Sequence, residues 1–125
     1  MSERVTVASG GPFEEQYGYS RAVRVGSQVH VAGTCARGGD LDGDTYTQAA
    51  AALRIIAAAL QEAGASTADV VRTVTYVTDI ADAGLVARAH REVFADIRPA
   101  ATMVQVTGLI DARMRVEIEA YAVVS

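Results

Sequence analysis

Cysteine occurs once, proline twice, histidine twice and tryptophan never in these 125 residues. One thiol, Cys35, closes no intrachain disulfide and rules out a cysteine-rich zinc site. It fits a reducing compartment, so the expected location is the cytoplasm. His30 and His90 lack ligand spacing, and no metal is expected. No apolar run approaches the ~18 residues that span a bilayer. The opening MSERVTVASG has neither the basic nor the apolar region of a secretory leader. No membrane association is therefore expected. Basic runs are also missing: 11 basic residues are scattered against 15 acidic ones, for a net charge of −4. That balance leaves no electrostatic footprint for nucleic acid.

What remains describes a folded domain. Half the residues are hydrophobic and 21% are charged, which suits one domain over residues 1–125 with one core. A chain this short buries a modest share of its surface, and association would help it. RVTVAS, YSRAVRVG and SQVHVAG read as three strands, the last two joined at Gly26–Ser27 as a hairpin. SGGPFEEQYG reads as a loop. DTYTQAAAALRIIAAALQEAG is the clearest helix, with Asp44 as N-cap and Gly64 as stop. Its expected apolar face runs through Tyr46, Ala49, Ala50, Leu53, Ile56, Ala57 and Leu60. DVVRTVTYVTD is a β-branched strand. A second helix starts at Thr78 or Asp79 and ends before Pro99. AATMVQVTG and RMRVEIEAYAVV close the pattern as strands. The order β-β-β-α-β-α-β-β predicts an α+β fold, a mixed sheet with both helices on one face.

Few residues could carry chemistry. Glu117 and Glu119 share a strand face ~7 Å apart. Spacing alone leaves them open between general acid–base work and ion pairs with Arg113 or Arg115. Cys35, in VAGTCARGG, is a further candidate, although a lone cysteine is more often inert. His30 and His90 read as structural. GTCARGGDLDGD matches no phosphate-binding fingerprint. Its Asp40, Asp42 and Asp44 alternate like calcium ligands but lack the closing glutamate. The loop reads as a solvated turn and cap.

From about Tyr19 to Val124 the chain resembles the RidA/YjgF family of reactive-intermediate deaminases, once called L-PSP endoribonucleases. The carriers are VRVGSQVHVAGT, AGASTADVVRTVTYVTDI, RPAATMVQV and RVEIEAYAVV. The resemblance implies a chorismate-mutase-like (YjgF) fold, a homotrimer with clefts between subunits, and hydrolysis of enamines or imines without metal or organic cofactor. It places Tyr19, Ala32, Gly33, Ala101, Thr102 and Met103 in the ligand site, with Glu119 holding water. The chain departs from the pattern at a key place. Family deaminases read Pro-Ala-Arg-Ser where this chain reads Pro99-Ala100-Ala101-Thr102, so the arginine that clamps a carboxylate is absent. Met103 replaces a cysteine, and Ala32 a small hydroxyl residue. An arginine-lacking branch is implied, acting on a small molecule other than an ordinary 2-imino acid. The other reading is a non-catalytic trimeric metabolite-binding protein. The acidic balance argues against the ribonuclease label.

Overall fold

The computed structural model describes residues 3–125. Six strands form one sheet: β1 (Arg4–Val7), β2 (Ala22–Val25), β3 (Gln28–Thr34), β4 (Val70–Val77), β5 (Ala100–Gln105) and β6 (Val116–Val123). Three helices accompany them: α1 (Glu14–Tyr17), α2 (Thr45–Glu62) and α3 (Ala83–Phe94). Apart from the one-turn α1 and short 3-10 turns, the order is the one the sequence pattern predicts.

The strands lie in the order β1-β2-β3-β6-β4-β5. Val25 faces Gln28 across the β2–β3 hairpin, and Gly26 takes the left-handed conformation (φ 59°) that such a tight turn favours. Only β4 and β5 run parallel, joined through α3. The sixth strand enters between β3 and β4, antiparallel to both. Its Val116, Ile118 and Ala120 are fully buried under the helices, while Glu117, Glu119 and Tyr121 alternate onto the opposite face. No helix among the described residues covers that second face, and Val104 and Val123 on it are 42% and 44% exposed.

Helix α2 begins as expected, because the Asp44 carboxylate accepts from the Thr47 N–H at 2.8 Å. It ends where Gly64 turns left-handed at φ 80°. Its buried surface is wider than the predicted stripe. Gln48, Ala51, Ala52 and Ala59 are buried too, while Tyr46, Ala50 and Ala57 stay half-buried. The helix contacts β3 and β6, α3, and a second cluster in which Ala51 meets Ala36, Leu41 and Met114. Alanines permit approach on several sides at once. Gln48 is fully buried yet satisfied: its amide donates to the Leu41 and Arg113 carbonyls at 3.1 and 3.0 Å and accepts from the Arg115 N–H at 2.8 Å.

Two segments expected as loops are more ordered. SGGPFEEQYG contains α1 and buries Glu14. TCARGGDLDGD contains a 3-10 turn, Gly38–Asp42, that buries Leu41. The second helix follows a 3-10 turn capped by Asp79, which accepts from the Ala81 N–H at 3.0 Å. No helix among the described residues is long and apolar enough to cross a membrane.

Candidate functional site

The register between β3 and β6 slips between Val31 and Thr34, which sets Ala32 and Gly33 at an irregularity in the ladder. A Cβ on Gly33 would lie 2.6 Å from Glu117 Oε2. The carboxylate occupies the space a side chain would need, which is the physical reason for glycine there. The other oxygen, Oε1, accepts from Cys35 Sγ at 3.6 Å. Burial, followed by the charge and hydrogen bond of Glu117, pushes the Cys35 thiol up to about 12. Cys35 is thus a donor that steadies Glu117 and holds its proton at neutral pH.

Behind this wall lies a charged group that no sequence motif announces. Arg21 is only 4% exposed. One guanidinium nitrogen donates to the Gly33 carbonyl at 2.7 Å and Thr34 Oγ1 at 2.9 Å, and the other donates to the Tyr19 hydroxyl at 2.7 Å. Its Nε lies 3.5 Å from Glu14 Oε2. Glu14 also accepts from the Ser9 N–H and Gly11 N–H, both at 3.0 Å, and from the Ser9 hydroxyl. Arg37 adds a second contact at 3.4 Å. Burial alone would raise Glu14. The hydrogen bonds from Ser9 and Gly11 and the charge of Arg21 prevail, holding it at about 2. The sequence signal is faint: Arg21 stands immediately before β2, with a second arginine at Arg24, and only its burial reveals that it requires a partner.

Glu119 lies elsewhere on the same strand face. It accepts from the Tyr121 hydroxyl at 2.9 Å and from Tyr76 at 3.2 Å. Burial, and then Glu119 itself, raises both phenols. The carboxylate placed at Gly33 is therefore that of Glu117, two residues before the one the sequence singled out.

Ala101, Thr102 and Met103 form a separate group. The parallel register sets Ala101 beside Thr73 and Met103 beside Thr75, both buried on the helix-facing side. Ala101 and Met103 consequently face α3, whereas Glu117 and Glu119 face away. With Thr102 they line a cavity of about 510 Å³ between α3 and β5. Within one chain, the Tyr19–Gly33–Glu117 wall and the β5 wall are not brought together. His90 also lines the cavity, its Nε2 2.8 Å from Thr73 Oγ1, and burial lowers its pKa. His30 is exposed and meets the Tyr121 ring edge-on. Among the described residues no group of three or more His, Cys, Asp or Glu side chains is arranged to hold a metal.

Comparison with known proteins places this geometry among relatives. Residues 12–124 match the family described as endoribonuclease L-PSP. An uncharacterised Streptomyces coelicolor protein is 42% identical over 120 residues, covering 92% of this chain and 90% of its own. A Mycobacterium tuberculosis member of the YjgF/YER057c/UK114 family is 50% identical, with a TM-score of 0.92 over 98% of this chain and all (100%) of its own. Escherichia coli TdcF, solved with bound serine, is 27% identical with a TM-score of 0.80, covering 96% of this chain and 94% of its own. TdcF carries the provisional name of a reactive intermediate deaminase.

Proposed function

Since the chain belongs to the endoribonuclease L-PSP family, the RidA/YjgF proteins, we propose that it hydrolyses a small enamine or imine compound in a cleft completed between subunits of a homotrimer. The observation that carries this reading is the Glu117 carboxylate set against the Gly33 backbone, with Tyr19 braced beside it by Arg21. A carboxylate there can orient water against a C=N carbon. Water adds to that carbon and its proton passes to Glu117. With the imine entering as its protonated iminium form, Glu117 returns that proton to the nitrogen of the resulting carbinolamine, the C–N bond breaks, and the departing ammonia takes the hydroxyl proton as the carbonyl forms. All eleven basic residues are arginines, so no lysine amine is present to form a Schiff base, and water is the nucleophile. Cys35, protonated at neutral pH, has no place as a nucleophile.

The intersubunit part rests on the two walls lying on opposite sheet faces. A second copy presenting its Ala101–Met103 strand to the Gly33–Glu117 wall would bring the expected ligand residues together. Ala101 provides no guanidinium there, so 2-iminopropionate should be a poor substrate. Losing such a pair forfeits on the order of 2–5 kcal/mol of binding.

The test is ammonia release from imines generated in situ, with and without a carboxylate. Glu117→Gln should abolish turnover and leave the fold intact. Glu119→Gln should reduce it less, because that carboxylate is held by two phenols. A greater loss in Glu119→Gln than in Glu117→Gln would assign the water-holding role to Glu119. No release from any imine, with ligands still raising thermal stability, would favour the metabolite-binding reading.

A further inference from the structure

The cavity between α3 and β5 carries a charge pattern that the chain as a whole does not. Overall, acidic residues outnumber basic ones by 15 to 11. The cavity wall nevertheless holds Arg91 and Arg98 and no carboxylate. Neither arginine takes part in a salt bridge among the described residues. Both guanidinium groups are left available, and arginine is the side chain whose planar fork matches a carboxylate.

The backbone singles out Arg98. Its N–H donates to the Phe94 carbonyl at 2.9 Å and closes the turn that follows α3. It does so at φ 54°, the only positive φ of a non-glycine residue among those described. Glycine is the ordinary occupant of such a left-handed, turn-closing position. An arginine there holds a strained conformation without needing its side chain for the turn. Elsewhere the wall is apolar: Phe94, tilted against His90 at 4.6 Å between ring centres, with Val86, Ala101 and Met103. At about 510 Å³ the space suits a small organic molecule.

We propose that this cavity binds a small carboxylate with an apolar body, its acid group held by Arg98 and Arg91 at the end of α3. This deepens the reading of Ala101, Thr102 and Met103 as a ligand wall and rests on it. The anchor that position 101 lacks is supplied from the helix end, so the acid group sits away from the reacting carbon instead of adjacent to it. Ligands with a remote carboxylate are favoured over 2-oxo and 2-imino acids.

The probe is 4-acetylbenzoate, a ketone with a remote acid, against 4-acetylbenzamide, its neutral counterpart of the same shape. Titration calorimetry on the intact protein should show the acid binding at least 10-fold more tightly. Arg98→Gly keeps the left-handed backbone and removes the guanidinium, and should weaken the acid at least 10-fold while leaving the amide unchanged. Arg98→Lys should fall between. Equal affinity for acid and amide, or no effect of Arg98→Gly, would overturn the proposal, as would displacement of the acid by equimolar inorganic phosphate. Ammonia release from imines is measured separately on the same wild-type protein. Acid binding without ammonia release would therefore defeat only the hydrolase reading. Turnover of neutral and acidic imines alike would defeat only this one.

Discussion

Glu14 has the clearest pH signature of any single residue. Its folded pKa of about 2 lies below the ordinary 4.5. A depressed carboxyl contributes stability that is fully present above the ordinary value and is lost as pH falls toward the folded one. The protein should therefore lose stability between about pH 4.5 and pH 2, on the order of 1–2 kcal/mol from this group once solvent screening is allowed for. Urea melts of wild type and Glu14→Gln at pH 7 and pH 3 would show it. The variant should be weaker at pH 7, since Arg21 and Arg37 lose their partner, and its stability should change less with acid. Parallel pH profiles would remove Glu14 from the account. The effect reaches the candidate site, because the Arg21 that Glu14 neutralises also holds the Gly33 carbonyl and the Tyr19 hydroxyl.

Among the elements, α2 shows both what a linear pattern reveals and where it stops. Its start at Asp44 and its end at Gly64 were legible, since capping chemistry is local. So was the alternation of β6 that separates Ile118 from Glu117 and Glu119. Gln48 was not legible: two of its partners are backbone groups 65 and 67 residues away at Arg113 and Arg115, and a main-chain group leaves no mark in a sequence. The same limit hid the pairing of Arg21 with Glu14 inside an apparent loop. It also hid the opposition of Ala101 to Glu117, which depends on the parallel register of β4 and β5 and on β6 entering between β3 and β4. The tie made by Gln48 can be weighed. Gln48→Leu keeps the volume but orphans the Arg115 N–H and two carbonyls, and should destabilise the fold by about 1–3 kcal/mol. A chemical-denaturation midpoint unchanged from wild type would mean that packing, not hydrogen bonding, is what Gln48 provides.

At the scale of the whole molecule, the uncovered sheet face and the separated walls point to association. A six-stranded sheet with Val104 and Val123 in the open, and with tyrosines and glutamates between them, has a mixed surface suited to a subunit interface. Sedimentation at micromolar concentration should show a trimer, and a persistent monomer would remove the shared-cleft reading. The strand order has a further consequence. Everything up to α2 builds the β1-β2-β3 side of the sheet, and everything from β4 onward builds the β6-β4-β5 side. The seam between these two stretches of chain is the β3–β6 pair, where Gly33 meets Glu117 and Cys35 donates to it. Each stretch carries its own hairpin or crossover, and the α3–β5 cavity lies wholly in the second, but neither alone brings Gly33 and Glu117 together. A partly folded chain therefore lacks the Gly33–Glu117 pair, and the wall proposed for hydrolysis arrives only with the joining of the two halves.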